Sequence, residues 1–193
     1  MELSTEILVN NFSKYKKRLV KYVGENQTES IINALGGEEA VMNATFANIS
    51  NTGLAYKGSL CHTLIVLTTY AIKLNELLPE DKRVNNDEIV KVALLSHIGK
   101  VLLYKESNDE WRKKNLGEMF TYNNNLEGAL RVGERSFLIA ENAGVKFTEL
   151  EYEAMLIMDK QNDKSDNYTK YYSSTLSLII KQANEIVTMI NKK

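Results

Sequence analysis

His62 and His97 are the only two histidines in the sequence, and Cys61 is the only cysteine. These are the side chains best suited to ligate a transition metal or to pair a nucleophile with a base near neutral pH. His97 sits in VALLSHIGKVLLY, residues 92 to 104, where Ser96 and His97 interrupt an apolar run and Gly99 and Lys100 follow. A stable metal site needs three or four ligands with groups that orient them. Asp87 and Glu88 lie about two to three helical turns before His97 and point toward the helix start. No HxxxH, CxxC or aspartate cluster is present. His62 and His97 fall on different predicted helices and could meet in space; the simpler reading gives each one hydrogen-bond partner at a half-buried position. Cys61–His62 and Ser96–His97 are adjacent pairs, and successive helical side chains point about 100° apart, so neither is expected to form a dyad. Cys61 is expected in the core. GxSxG, GxxxxGK[ST] and GxGxxG are all missing, so no nucleophile elbow and no phosphate-cradling loop can be named.

The elements that must position these residues read as helices. In TEILVNNFSKYKKRLVKYV, Leu8, Phe12, Tyr15, Leu19 and Val23 recur at helical spacing with lysines opposite. Ser4 or Thr5 can cap its start and Gly24 can end it. QTESIINALGG reads as a helix closed by Gly36 and Gly37, EEAVMNATFANI as a third, and SNTGLAYKG as a loop. SLCHTLIVLTTYAIKLNELL is a long helix stopped by Pro79. NNDEIVKVALLSHIGK follows, with Asn86 offered as its cap and Asp87 and Glu88 at its positive end. VLLYKE and EMFTY flank a polar middle as a short β-hairpin. NLEGALRVGERSFLIAENAG is helical and ends at Gly144. TELEYEAMLIMDK opens with the capping-box spacing of Thr148 and Glu151. DKSDNYTKYYSS is a polar connection, and STLSLIIKQANEIVTMINKK closes the chain. The pattern predicts an all-α, irregular helical bundle with one small hairpin.

Composition narrows the function. Hydrophobic residues make up 44% of the 193, enough for a real core, and the net charge of −1 supplies no basic field for nucleic acid or an anionic membrane. One cysteine excludes an internal disulfide framework and fits a reducing compartment. MELSTEILVNNF lacks a signal-peptide pattern and no apolar run approaches the roughly 20 residues of a membrane span, so a soluble intracellular protein is expected. Lys14, Lys17 and Lys21 share a face that reads as solvated rather than nucleic-acid-binding. Tyr168, Tyr171 and Tyr172 read either as a contact surface or as packing under a loop.

From about residue 50 onward the chain resembles the HD-domain metal-dependent phosphohydrolases. YKGSLCHTLIV is similar to their "GGL..HSL.V" segment with one residue of slippage, and VALLSHIGKV to "ALLHDIGKV". GEMFTYN is similar to the inserted hairpin of one bacterial subgroup. RVGERSFLIAENAGVKFTELEYEAMLIMD is similar to "HGEKS...LTDEE..AIR.HMG", and SSTLSLIIKQANEIVT to "PLALLLH.ADELAT". The resemblance implies an N-terminal helical segment, 1–48, and an HD-like domain, 49–193. It also implies a divalent metal held by a histidine, a His-Asp pair and a late aspartate, which polarises a phosphate ester and activates water. Matched residue by residue, only His62 keeps a ligand. Ser96 stands for the histidine of the pair, His97 for its aspartate and Asn184 for the late aspartate. Val132 and Met158 replace two pocket histidines, and Thr52 a further one. Lys100 and Gly99 are kept, with structural reasons of their own: close packing at Gly99, and a helix C-terminus that Lys100 can satisfy.

Serine and neutral asparagine are poor ligands for a divalent cation, and loss of two carboxylates removes the negative charge that neutralises it. No cofactor and no metal are therefore expected, and the old pocket is expected to be filled by Val132 and Met158 and dry. His97 is expected to make an ordinary hydrogen bond. The resulting expectation is a catalytically inactive HD-like fold, a structural or interaction subunit of an assembly, because the fold alone does not dictate the job. The resemblance to HD-like proteins of phages of gut bacteria extends this to a virion ring or adaptor component. Expected partners are copies of itself or other protein subunits, neither membrane nor nucleic acid. The expected location is the cytoplasm of a bacterium or infected host cell, or the virion. Residues 5 to 23 are the candidate for oligomer contact, with packing on the domain itself as the other reading. Two alternatives stand beside this one: a pseudoenzyme that senses nucleotides in the old pocket, and a residual phosphohydrolase using His62, His97 and a further carboxylate.

Overall fold

In the computed structural model, which describes residues 3–157 and 174–192, the first helix begins and ends where its cap residues lie. Helix α1 spans Thr5–Val23, with the Ser4 side chain accepting from Ile7 N and Gly24 as the stop. Its apolar stripe, Leu8, Phe12, Tyr15 and Leu19, is buried. The stripe packs against α2 (Glu25–Ala34), α3 (Glu38–Asn43), α4 (Ser59–Glu76) and α5 (Asn86–Leu95). The Tyr15 hydroxyl donates to Leu94 O at 3.0 Å, tying α1 to α5 inside the core. So the apolar face offered for oligomer contact is used within the fold, and Lys14, Lys17 and Lys21 lie exposed.

Helix α3 is shorter than its sequence suggests. It stops at Asn43, and residues 44 to 58 form a loop with one 3-10 turn at Ser50–Thr52. The polar side chains Thr45 and Ser59 fasten this loop: Ser59 Oγ donates to Leu54 O at 2.6 Å and accepts from Phe46 N at 2.8 Å. Gly58 starts α4 in the left-handed region at φ 82°. A Cβ there would stand 2.0 Å from Leu8 Cδ2, so only glycine lets α1 lie so close.

The core is built on α4, α5 and the closing helix α10 (Thr175–Asn191). Leu64, Leu67, Val92, Leu94, Ile180 and Val187 are sealed from solvent. Burying each such side chain contributes about 1.5–3 kcal/mol. Residues from both the 1–48 stretch and the remainder join one hydrophobic cluster, Phe12, Leu19 and Ile31 among them.

Helix α5 is capped by Asn85, not Asn86: the Asn85 side chain accepts from Asp87 N at 2.9 Å. It also ends earlier than expected, at Leu95. Residues 96 to 99 form a tight turn before the single-turn helix α6 (Lys100–Leu103). The expected hairpin is present, with β1 (Tyr104–Glu106) antiparallel to β2 (Phe120–Tyr122) and Tyr104 opposite Tyr122. Its polar middle holds a further helix, α7 (Glu110–Leu116). Two hydrogen bonds fix this excursion to the 48–50 strand-like segment: Phe120 N to Asn48 O at 3.2 Å and Ser50 N to Gly117 O at 2.8 Å.

Helix α8 covers Val132–Asn142, so residues 125 to 131 are not helical as expected, and α9 covers Glu149–Ile157. The capping box at α9 is formed: Thr148 N donates to Glu151 Oε2 at 2.8 Å and Glu151 N to Thr148 Oγ1 at 3.3 Å. The other Glu151 oxygen, Oε1, lies 2.7 Å from Lys91 Nζ. Lys91 also donates to Lys146 O at 3.0 Å, so α5 is tied to the start of α9. Met158 and the tyrosines 168, 171 and 172 lie outside the described residues. The chain is all-α with one small hairpin, and among the described residues no helix is long and apolar enough to cross a membrane.

Candidate functional site

The turn at residues 96 to 99 decides where the site lies. Because α5 stops at Leu95, Ser96 and His97 are not two rungs of one regular helix. Their side chains meet: Ser96 Oγ and His97 Nδ1 are 2.9 Å apart. This corrects the expectation drawn from ideal helix geometry. The Ser96 hydroxyl donates to Ala93 O at 3.0 Å. A carbonyl can only accept and a hydroxyl has one proton, so the remaining contact is Nδ1–H donating to Ser96 Oγ. That leaves Nε2 as a lone-pair acceptor. It has no other hydrogen-bond partner among the described residues.

His97 is buried, and burial first, then the Lys100 charge, hold its pKa well below the ordinary histidine value. The imidazole is therefore neutral at pH 7. Its ring packs on Phe46 at 4.8 Å between centroids. Lys100 Nζ stands over the same Phe46 ring at 3.6 Å and donates to Phe46 O at 2.7 Å. Lys100 thus satisfies a loop carbonyl.

His97 and Lys100 line a cavity of about 250 Å³ together with Asn184 and Thr188 of α10, Thr52 and Asn48 of the loop, and Tyr104 of β1. Met158, expected with Val132 to fill this cavity, lies outside the described residues. Val132 does not reach it: its carbonyl faces the other side of the turn, 3.0 Å from where a Cβ on Gly99 would stand. Gly99 is what lets α8 approach, and Gly99 N donates to Ser136 Oγ at 2.9 Å. Within the cavity, Thr188 Oγ1 donates to the backbone oxygen of Asn184 at 2.8 Å. Asn184 Oδ1 is buried without a hydrogen-bond partner. An unsatisfied buried acceptor is uncommon and calls for an explanation.

Of the residues singled out from the sequence, the structure brings His97, Lys100, Asn184 and Thr52 to one place and puts Ser96 directly behind His97. His62 is elsewhere. It is exposed on α4, whose Cys61 and Thr63 face the core, and it does not line the cavity. Burial pushes the Cys61 thiol up to about 12, which keeps it protonated and unreactive. Among the described residues no three His, Cys, Asp or Glu side chains lie together as a metal would need. The sequence reading missed Phe46, Asn48, Tyr104 and Thr188. Thr188 lies one turn beyond Asn184, a spacing that could have flagged it; the others come from loop and hairpin positions with no periodic signal.

No family model, no curated protein and no solved structure matches the chain.

Proposed function

We propose that this chain is a non-catalytic, HD-like protein that works as an interaction subunit, assembling with copies of itself. One observation carries the reading: the excursion between α6 and α8 presents Trp111, Leu116 and Tyr122 to solvent, with Trp111 64% exposed. Exposed tryptophan and tyrosine on a polar excursion are the residues that dominate protein contacts. Residues 104 to 122 carry Lys105, Arg112, Lys113 and Lys114 against Glu106, Asp109, Glu110 and Glu118, a neutral balance. Such a surface has no sign with which to select nucleic acid or an acidic partner, and its mixed charges can face a second copy of themselves. A ring or adaptor subunit of a virion is the assembly that the phage resemblance suggests.

The chemistry beside His97 supports a non-catalytic role. Two of the positions that would hold a metal carry a hydroxyl committed to Ala93 O and a neutral amide, and no carboxylate stands among the described residues of the cavity to join the His97 imidazole. His62, the one ligand the resemblance keeps, faces away from them. Sedimentation equilibrium of the purified chain tests the reading. A closed homo-oligomer that Trp111→Ser shifts toward monomer is expected. A strict monomer at high concentration, or Mn²⁺-dependent phosphatase activity lost in His62→Ala, overturns it.

A further inference from the structure

Charge is unevenly placed along this nearly neutral chain. Residues 1–23 carry Lys14, Lys16, Lys17, Arg18 and Lys21 against Glu2 and Glu6, and residues 132–157 carry five glutamates against Arg135 and Lys146. On α1, Lys16 is neutralised by Glu38 at 2.6 Å. Lys14, Lys17, Arg18 and Lys21 form no ion pair among the described residues, and Lys21 rests over the Tyr22 ring at 4.8 Å. Beside them lies a groove of about 530 Å³, lined by Val9, Phe12 and Val20 together with Lys16 and Lys17. Val9 is 50% exposed there. A second face has the opposite sign. Glu134, Leu138 and Glu141 recur at i, i+4 and i+7 along α8, and Leu138 is 43% exposed. Tyr152 of α9 packs edge-on against Phe137 at 4.5 Å while staying 43% exposed, which joins the two helices into one surface. Glu149 lies one turn before Tyr152, and neither Glu141 nor Glu149 forms an ion pair among the described residues. Within one chain α2 packs on both α1 and α8 and so stands between the two faces.

We propose that the two faces meet between copies: the groove and basic side of α1 on one chain receive the acidic outer face of α8 and α9 on the next. Leu138 and Tyr152 supply apolar contact for Val9 and Val20, and Glu134, Glu141 and Glu149 oppose Lys14, Lys17 and Lys21. The proposal rests on the self-assembly reading and names a contact other than that of Trp111. Each face repels its own kind and attracts the other, which selects a head-to-tail contact over a two-fold one. Repeated, such a contact closes a ring or extends a filament. A nucleic acid is the poorer occupant of the basic side. Glu38, hydrogen-bonded to Lys16, and behind it Glu29 and Glu25 raise the Lys16 pKa, so acid borders the basic strip and opposes a long phosphate backbone.

Carbodiimide coupling of the full chain, mixed from ¹⁴N and ¹⁵N batches, tests it. The reagent joins a lysine to a carboxylate in direct contact, and a peptide pair of mixed isotope marks a joint between chains. Mixed pairs are expected to link Lys14, Lys17 or Lys21 to Glu134, Glu141 or Glu149. They are expected to fade at about 1 M NaCl, where the Debye length falls to about 3 Å. Lys14→Glu with Lys17→Glu is expected to cut the Lys21–Glu149 pair about tenfold. Mixing that variant with Glu134→Lys, Glu141→Lys chains is expected to restore it. The proposal is overturned if only same-isotope pairs form, if mixed pairs fall on other residues, if the charge-swapped chains do not restore the joint, or if duplex DNA displaces the mixed pairs at physiological salt. Coupling captures contacts too brief to raise a sedimentation mass. An oligomer without these pairs therefore sinks this proposal alone, and a monomeric mass with them sinks the Trp111 reading alone.

Discussion

Two polar clusters grow from α5, and they are built on opposite principles. On one side Lys91 meets Glu151 and Lys146 O, and Glu151 in turn caps α9. Each charge has its opposite. At the C-terminal end His97 and Asn184 share a cavity, and each keeps an acceptor without a donor. The first arrangement holds helices together. The second leaves acceptors without donors. The difference separates paired charges that hold helices together from acceptors that add little to stability.

The largest expected effect comes from breaking the closed cluster. Lys91→Met leaves Glu151, almost wholly buried, without its cation, and should cost about 3 kcal/mol in urea denaturation. The double variant Lys91→Met with Glu151→Leu should recover most of that loss. If the single variant is neutral, the cluster is not a tie and the contrast with the cavity collapses.

A smaller effect is expected from pH. The folded-state pKa of His97 lies below its unfolded value, so as pH falls below about 6.5 the unfolded chain takes up a proton that the folded chain refuses. Stability from this residue is complete above that pH and is lost toward lower pH, with a slope of about 1.4 kcal/mol per pH unit. His97→Gln should remove that part of the slope in stability curves measured between pH 7 and pH 5; an unchanged slope means that the imidazole is not buried neutral.

Tyr15→Phe sharpens the same comparison at a third polar contact of α5. It takes the donor from Leu94 O within the core and should cost about 1 kcal/mol by thermal or urea unfolding. The smallest effect belongs to the open cluster. Asn184→Leu deletes an acceptor that has no donor, so stability should stay within about 0.5 kcal/mol of the parent. A loss as large as that of Tyr15→Phe would show that Asn184 is a satisfied structural residue after all.

Much of the fold was legible because its signals are local. Ser4 and Gly24 bound α1, Thr148 and Glu151 form the capping box of α9, and VLLYKE and EMFTY contain the two strands of the hairpin. Each of these depends on neighbours a few residues away. The failures share a cause as well. The apolar pattern of NNDEIVKVALLSHIGK runs through Ser96 without a mark, yet the helix stops there, where Ser96 Oγ takes the Ala93 carbonyl. Likewise, the helix expected over EEAVMNATFANI breaks at Ala44, where Thr45 and Ser59 bind the loop from a distance in sequence.

The sequence by itself determined the helical class, the caps, the stripe of α1 and the scarcity of metal-binding side chains. All of these follow from residue type and short-range periodicity. Only the tertiary structure decided that His62 turns outward and that Phe46, Tyr104 and Thr188 join His97, Lys100 and Asn184 around one cavity. The physical reason is that a cavity is a property of long-range packing. Whether an acceptor finds a donor depends on which distant loop the core brings beside it, and no spacing along the chain encodes that.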